Sequence, residues 1–256
     1  MAAATDLGPL VLAGSGEYTP TMDIVDRYLV ERLEGRGVLL IATACAPEGD
    51  DVMTRWEEMG MAHFQRQGVS AEAVRIRDRA EADLAEHADR IAEAGIVWFS
   101  GGRAAYLAQA FVGTGAWQAL EAANRRGAAV AGSSGGLGVL NQDLPDATIE
   151  GPQPPTGLGL AAPVRVMAHF DRMEARRPEM VERTVAGLAA GQMAVGVDED
   201  TAIVWTESAW QVMGHKRAVV YRSTTERLIF RPGDRIDILP PPLRAAPPAA
   251  PESPRS

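Results

Sequence analysis

Residues 127–141, G-A-A-V-A-G-S-S-G-G-L-G-V-L-N, constrain the fold of this chain most, because they join three structural signals in a short stretch. The apolar run at residues 128–131 is typical of a strand buried on both faces of a sheet. Glycines and serines at residues 132–136 then turn the chain sharply, and an apolar helix start follows. Strand, glycine turn and helix form the context in which a G-x-S-x-G pattern exposes its serine, here Ser134. The sequence therefore predicts a nucleophile elbow.

Two other interpretations fit the same turn. A G-S-S-G-G string also occurs in flexible turns and in loops that cradle phosphate. In the elbow interpretation, glycine permits the tight bend, and the helix N-terminus offers free N–H groups, Gly135 first, to a developing oxyanion. That interpretation requires a base and a second oxyanion donor elsewhere in the chain.

Strand-like and helix-like patterns alternate through the first two thirds of the chain, which predicts an α/β fold with a mostly parallel sheet and helices on both faces. On such sheets, ligands lie at the carboxyl ends of the strands. The predicted strands are residues 9–13, 37–43, 73–76, 95–99 and 128–131, and the long predicted helices are residues 50–67 and 80–94.

The pattern changes after residue 141. Residues 143–163 are rich in Pro, Gly, Asp and Thr and predict loops or a small hairpin. A helical pattern extends over residues 173–190, and Pro178 is expected to mark the true start of the helix. Short strands follow from residue 193, and we expect them to extend the same sheet with hairpins. One domain over residues 7–239 is predicted, and the proline-rich tail at residues 240–256 is expected to be disordered.

Composition excludes several classes of partner. The net charge of −9 argues against nucleic acid and anionic membranes, which need a basic surface. No apolar run approaches the roughly 20 residues of a membrane span, and the first residues lack the basic and apolar regions of a secretory signal. The single Cys45 excludes an intramolecular disulfide and a cysteine-rich metal site. We therefore expect a cytoplasmic protein.

Four histidines are candidates for the base that Ser134 requires. His63 and His87 have charged neighbours and are interpreted as solvated helix positions. His169 follows the apolar run at residues 164–168, and the end of a strand is well placed to reach a serine at the top of a sheet. His215 lies between two late strands, where a hairpin tip is the simpler interpretation. His169 is therefore the favoured base.

Glycine turns offer the second oxyanion donor. Gly101 and Gly102 follow a buried strand and precede a helix, so the N–H of Gly102 or of Arg103 is a candidate, although a plain turn fits as well. A third turn, Gly14-Ser15-Gly16, follows the first strand. Gly16 either contacts substrate or only shapes that turn, since G-x-G alone is a weak signal.

Acidic candidates for orienting a histidine fall in two groups. Three consecutive acids after a buried strand would repel one another if crowded inside, so at least one is expected to have a partner. The candidates are Asp143, Asp146 and Glu150 after the elbow, and Asp198, Glu199 and Asp200 in the late strands.

These motifs together resemble peptidase family S51, which holds the cyanophycinases and the aspartyl dipeptidase peptidase E. The resemblance spans residues 10–238 and rests on Gly101-Gly102, Ser134, His169-Phe170 and the string G-V-D-E-D-T-A at residues 196–202. It implies a three-layer fold like that of class I glutamine amidotransferases (flavodoxin-like), with serine in place of cysteine at the elbow, followed by short C-terminal strands.

The resemblance also implies roles for the residues. Ser134 corresponds to the nucleophile and His169 to the base. In the cyanophycinase branch the acid corresponds to Glu199, whereas in the peptidase E branch it is an aspartate near Asp143 or Asp146. Which acid completes the site, Glu150 included, stays open at this point.

This chain departs from the cyanophycinases at two places. They carry Asp-Gln after the glycine pair and again before the His-Phe pair, where this chain has Arg103-Ala104 and Met167-Ala168. Those polar residues help hold cyanophycin in that branch, so whether this chain cleaves cyanophycin stays open. Arg103 and Gly101 are instead candidates for substrate contact, and a guanidinium at this place could select a carboxylate.

The sequence thus predicts a serine peptidase acting on a small peptide or isopeptide, without metal or organic cofactor. A homodimer is compatible with the sequence. Two alternatives stay open: an α/β-hydrolase-type esterase using Ser134, Asp198 or Asp200, and His215, and a non-catalytic binding domain with the same fold. A glutamine amidotransferase would need cysteine at the elbow, which Cys45 does not supply.

Overall fold

The computed structural model describes residues 7–141, 157, 159–161, 164–206 and 208–242. The acidic candidates Asp143, Asp146 and Glu150 lie outside the described residues. So do most of the predicted loop region at residues 143–163 and the tail from residue 243 onward.

Strands and helices alternate along the chain as the periodicity predicts. The described strands are β1 (Leu10–Ala13), β2 (Val38–Ile41), β3 (Ala71–Ala73), β4 (Ile96–Phe99), β5 (Ala129–Ser133), β6 (Val164–Met167), β7 (Met193–Val197), β8 (Thr201–Thr206), β9 (Ala209–Gly214), β10 (Ala218–Tyr221), β11 (Arg227–Phe230) and β12 (Arg235–Ile236). The described α-helices are α1 (Asp23–Val30), α2 (Asp50–Arg66), α3 (Arg79–Ala82), α4 (Ala85–Glu93), α5 (Ala104–Phe111), α6 (Gly115–Arg125), α7 (Gly135–Leu140), α8 (Phe170–Arg176) and α9 (Pro178–Ala186).

In the part of the chain that the structure describes, the main sheet has eight strands in the order β12-β9-β8-β1-β5-β4-β2-β3. The five strands from β1 to β3 in this order run parallel, and β8, β9 and β12 add to the β1 side in antiparallel pairs. In register, Ala13 pairs with Ser133 and Phe99 with Gly132. The loops after β1, β4 and β5 therefore leave the sheet side by side at one edge.

Alternate residues of the parallel strands face two separate cores, which is the mark of a sheet covered on both sides. Val11, Leu40 and Trp98 pack toward α1 and α2. Leu12, Leu39 and Phe99 pack on the opposite face, in a core that also takes residues of α5 and α6. The predicted three-layer α/β/α arrangement is confirmed.

The late strands differ from the prediction in one respect. β8, β9 and β12 extend the main sheet, but β7, β10 and β11 join β6 in a second sheet of order β11-β10-β7-β6. One face of this second sheet, including Val166 and Val195, belongs to a core of the main sheet. Its other face packs on α8 and α9, and Gly196 leaves the space that the Phe170 ring fills. A sequence of short strands does not reveal this division, because strand pairing depends on contacts far along the chain.

Three local boundaries also differ from the prediction. The helix expected over residues 80–94 is divided into α3 and α4, because Leu84 is extended. The strand expected at residues 73–76 lies earlier, as β3. The helical region expected from residue 173 begins at Phe170 and is interrupted at Arg177, because Pro178 disfavours the α conformation of the residue before it. The helix start predicted at Pro178 is confirmed, since α9 begins there, and α9 ends at Ala186 and not at residue 190.

None of the described helices is long and apolar enough to cross a membrane.

Candidate active site

Ser134 lies on a strained turn between β5 and α7. Its backbone has φ 51° and ψ −112°, a conformation that L-residues rarely adopt. Its N–H donates to the Ala13 carbonyl at 3.1 Å, which ties the turn to the end of β1. The turn also needs glycine beside it, because a Cβ on Gly135 would lie 2.1 Å from the Gly102 carbonyl oxygen. The half-buried Ser134 is thereby presented at the carboxyl edge of the sheet.

His169 reaches this serine from the second sheet. It follows β6 and precedes α8, in a left-handed conformation (φ 48°, ψ 40°), and its N–H donates to the Gly14 carbonyl at 3.3 Å. Its Nε2 lies 2.8 Å from Ser134 Oγ. The distance is that of a hydrogen bond between a nucleophile and its base.

Glu199 contacts the other nitrogen of the same ring. Its Oε1 lies 2.8 Å from His169 Nδ1, and its Oε2 lies 2.8 Å from Arg172 Nε. The Glu199 N–H donates to Asp171 Oδ1 at 3.1 Å, which fixes the loop that carries the carboxylate. The Glu199 side chain is 13% exposed and that of His169 is 41% exposed, so the acid lies behind the ring.

The three consecutive acids after β7 point to different partners. Asp198 pairs with Arg217 Nε at 3.0 Å, and Asp200 accepts a hydrogen bond from Thr21 Oγ1 at 2.9 Å. Burial raises the pKa of Asp198, although the Arg217 guanidinium opposes that shift. The repulsion expected among the acids is thus relieved by separation, and each of the three has a partner.

The alternative set of Ser134, Asp198 and His215 is not brought together. His215 is exposed in the turn after β9, and its backbone N–H donates to the Asp200 carbonyl. Within the described part of the chain, no side-chain hydrogen bond joins His215 to Ser134 or to an acid.

Most residues of the loop after β4, residues 100–103, form hydrogen bonds with neighbouring segments. Ser100 Oγ lies 3.0 Å from Tyr18 Oη, and the Gly101 carbonyl accepts a hydrogen bond from Cys45 Sγ at 3.2 Å. The Arg103 N–H donates to the Ala44 carbonyl at 2.8 Å, so it is not free to bind an oxyanion. Of the two donors considered in this loop, Gly102 is the one whose N–H takes no acceptor among the described residues.

Gly102 and Gly135 place two such N–H groups together. The Gly102 nitrogen lies 3.1 Å from the position that a Cβ on Gly135 would occupy, and Gly135 is the first residue of α7. Gly102 has φ 138°, and a Cβ there would lie 2.5 Å from the Ala44 carbonyl carbon. Both positions therefore require glycine.

The model of peptidase family S51 matches residues 10–213. The chain belongs to peptidase family S51. It is a peptidase of that family, and most of the described domain lies within the match.

Two solved structures are similar to this chain. A peptidase from an acI-B1 Actinobacterium has a TM-score of 0.82 and 28% identity, over 91% of this chain and 98% of the other. A putative peptidase E from Listeria monocytogenes EGD-e has a TM-score of 0.64 and 17% identity, over 81% and 98% of the two chains, and shows the fold alone. No curated protein matches the sequence.

Two predicted substrate-contact residues of this S51 peptidase have backbone roles in the structure. Gly101 is buried beside Ser134, and a Cβ on it would lie 3.3 Å from Ser134 Cβ. Gly16 has φ 88°, and a Cβ there would lie 2.6 Å from Asp200 Oδ1. Both glycines thus let neighbouring loops approach closely.

Arg103 is exposed at the end of the loop after β4. It precedes α5, and in the described ranges its guanidinium makes no hydrogen bond or ion pair. Its backbone N–H is the part that serves the fold.

Glu17 was missed by the sequence reasoning. It is 5% exposed and lies behind the elbow, where Ser133 Oγ donates to its Oε2 at 2.5 Å and the Gly101 N–H donates to its Oε1 at 3.0 Å. A single glutamate after a glycine turn carries no sequence signal that separates it from a surface acid.

The prediction for His63 is wrong. It is 1% exposed, and its Nε2 lies 2.8 Å from Asp26 Oδ2 in the interface of α1 and α2. Neighbouring residues on a helix point in different directions, so the exposed Gln65 and Arg66 did not mark its face. Asp23, Asp26 and His63 are close enough to hold a metal ion, but Asp26 and Arg66 already contact the two ring nitrogens.

Labelling of Cys45 would show whether a thiol takes part in the chemistry. It is 1% exposed, and burial raises its pKa to about 12, so at pH 8 only about 10⁻⁴ of it is thiolate. We expect iodoacetamide not to modify Cys45 in the native protein, and to modify it fully in guanidinium chloride. Mass spectrometry of the intact protein measures both. Rapid, stoichiometric labelling of the native protein with loss of activity would instead indicate a thiol enzyme.

Proposed function

We propose that this S51 peptidase is serine-type and cleaves a small peptide or isopeptide, with Ser134 as nucleophile, His169 as base and Glu199 as orienting acid. The observation that carries the proposal is the continuous hydrogen-bonded chain from Ser134 Oγ through the imidazole to Glu199 Oε1, with 2.8 Å at each step. A nucleophile, a base and a third group that orients the base are the requirements of this chemistry.

The mechanism follows from which atom each group faces. Ser134 Oγ attacks the carbonyl carbon while His169 Nε2 accepts its proton, and His169 then gives that proton to the leaving amine. Water next attacks the acyl-enzyme, with His169 again as base, and releases the acid product. Glu199 accepts the Nδ1 hydrogen throughout, so the ring keeps the tautomer and orientation that the two steps require.

Two backbone N–H groups would bind the negative oxygen that develops during attack. Gly102 and Gly135 offer donors without protein acceptors in the described region, beside the nucleophile. Removal of one such donor in other serine enzymes costs about 10²–10³ in rate. No step in this mechanism calls for a metal or an organic cofactor.

Two other functions have less support. The esterase arrangement needs His215 to contact Ser134. His215 is exposed in the turn after β9, no hydrogen bond between its side chain and Ser134 is found in the described part of the chain, and Asp198 pairs with Arg217. A binding domain without activity would not need a strained serine, a hydrogen-bonded base and free N–H donors at one place.

The first test compares variants of Ser134 and His169 with a variant of His215. Ser134→Ala and His169→Ala should each lower kcat/KM roughly 10⁴-fold or more, because nucleophile and base act as one unit, and the double variant should lose no more. His215→Ala, the matched control, should retain nearly full activity. A panel of dipeptides and isopeptides, including aspartyl dipeptides and β-aspartyl-arginine, supplies the substrates.

Labelling with a fluorophosphonate probe gives a second readout that needs no substrate. The probe should form an adduct on Ser134 in the wild type and none in Ser134→Ala. Absence of an adduct on the wild type would favour the binding-domain interpretation. An adduct on Ser133 would indicate that Ser133, and not Ser134, is the nucleophile. Loss of activity in His215→Ala with retention in His169→Ala would favour the esterase arrangement.

A separate test concerns the acid. Glu199→Gln should lower kcat by orders of magnitude, though less than Ser134→Ala, because the neutral amide no longer supports the imidazolium that forms during attack. Asp200→Asn is a control with the same change of charge one residue away. A greater loss in Asp143→Asn or Asp146→Asn would indicate the peptidase E-like arrangement instead.

Arg103 is proposed to select a substrate carboxylate, either an acidic side chain or a free terminus. It follows the glycine pair at the carboxyl end of β4, where ligands bind on parallel sheets, and its guanidinium is exposed without a described partner. A guanidinium can bind a carboxylate with two parallel hydrogen bonds. Arg103 also occupies a position where the cyanophycinases carry a polar pair of a different kind.

Arg103→Ala should raise KM selectively for the substrate that carries the carboxylate. The expected penalty is about 1.5–3 kcal/mol, typical of a hydrogen bond to a charged group. Steady-state kinetics on paired substrates with and without the carboxylate measure it, and Arg231→Ala, an exposed arginine beside β11, controls for net charge. Equal effects on both substrates, or none, would contradict this assignment.

A further inference from the structure

We infer that Glu17 is a positioning residue that fixes the Gly102 N–H relative to Ser134. The inference rests on the proposed serine mechanism and adds to it a group that neither touches substrate nor belongs to the hydrogen-bonded chain of Ser134, His169 and Glu199. It assigns a task to a buried carboxylate that the mechanism otherwise leaves unused.

The two oxygens of Glu17 bind two different loops. Oε2 accepts the Ser133 hydroxyl at 2.5 Å, and Oε1 accepts the Gly101 N–H at 3.0 Å. Ser133 directly precedes the proposed nucleophile, and Gly101 directly precedes the proposed oxyanion donor Gly102. A single rigid carboxylate therefore sets the distance between the nucleophile turn and the oxyanion loop.

The missing side chain of Gly101 makes this contact feasible. A Cβ at that position would lie 3.1 Å from Glu17 Oε1 and 3.3 Å from Ser134 Cβ. The Glu17 carboxylate and Ser134 therefore both lie against the Gly101 backbone, in the loop after β4, with no side chain between them. Any displacement of the carboxylate would be transmitted directly to the loop on each side.

The burial of Glu17 argues for a specific role. A buried carboxylate is costly unless it is paired or hydrogen-bonded, and Glu17 is 5% exposed. In the described ranges no lysine, arginine or histidine forms an ion pair with it, so its stabilisation comes from hydrogen bonds alone. Each carboxylate oxygen accepts one hydrogen bond, one from the Ser133 hydroxyl and one from the Gly101 N–H. An apolar residue at position 17 would leave both donors unsatisfied.

The expected consequence is on the transition state and not on substrate affinity. Oxyanion donors act at 2.7–3.1 Å from the oxygen whose charge develops, so a small shift of the Gly102 N–H weakens a contact made fully only during attack. A misplacement of about 1 Å can cost on the order of 10²-fold in rate. Ground-state binding, which depends on groups such as Arg103, should change little.

The experiment compares Glu17→Ala with Glu17→Gln in the full-length protein. Glutamine can still accept the Gly101 N–H and can donate to Ser133 Oγ, which then accepts, so it preserves both contacts. Glu17→Ala should lower kcat about 10²-fold with KM within about threefold of wild type, and Glu17→Gln should recover most of the loss. Ser133→Ala, which keeps the Gly101 contact, should fall between them.

Three readouts separate positioning from folding. Active-site titration with a fluorophosphonate gives the concentration of competent Ser134, kcat is expressed per titrated site, and the melting temperature is measured for each variant. The affinity of a peptide aldehyde, which mimics the tetrahedral adduct, should fall in parallel with kcat. Because Glu17→Gln and Ser133→Ala keep part of the contact, they test the inference even if Glu17→Ala does not fold.

Two results would overturn the inference. The first is a lower melting temperature in Glu17→Ala with kcat per titrated site and aldehyde affinity unchanged, which would make Glu17 purely structural. The second is an equal rise in KM without loss of kcat in all three variants. If the wild type itself takes no adduct on Ser134 and hydrolyses no peptide, the proposed function fails first, and that outcome is visible before any Glu17 variant is made.

Discussion

The site depends on the direct contact between two glycine backbones, Gly135 at the start of α7 and Gly102 in the loop after β4. No side chain fits between them, since a Cβ on Gly135 would lie 2.1 Å from the Gly102 carbonyl oxygen. The parallel register of β4 and β5 brings the two loops to the same edge of the sheet, and the glycines let them touch. Every proposed interaction with the reacting carbonyl is arranged around this contact.

Backbone strain is concentrated at the same place. Among the described residues, five that are not glycine have positive φ, and Ser134, His169 and Asp200 are three of them. Such conformations cost of order 1–3 kcal/mol each and persist only where surrounding contacts fix them. Here the fixing contacts are backbone hydrogen bonds to β1 and its loop: Ser134 donates to Ala13, and His169 donates to Gly14. Ser134 and His169 are therefore held by a fully buried strand, β1, and the loop that follows it.

The sequence predicts those features that local chemistry determines. The elbow is recognisable because strand, glycine turn and helix are contiguous, and the position of His169 after an apolar strand favoured it over the other histidines. The residues Glu17 and His63 could not be assigned in this way, because their burial arises from contacts far along the chain: Glu17 with Gly101 and Ser133, His63 with Asp26. The second sheet escaped prediction for the same reason, since strand pairing is a long-range property and short buried strands look alike.

In the proposed mechanism, the residue that follows the glycine pair can vary without a change in the groups that react. Arg103 contributes its backbone N–H to the fold, through the Ala44 carbonyl, while its guanidinium is exposed without a described partner. A backbone hydrogen bond survives replacement of the side chain by any residue except proline. The side chain after the glycine pair can therefore change without moving Gly102. The polar pairs that this chain lacks relative to the cyanophycinases would then alter what is bound, while the glycine contact and the hydrogen-bonded chain of Ser134, His169 and Glu199 stay in place.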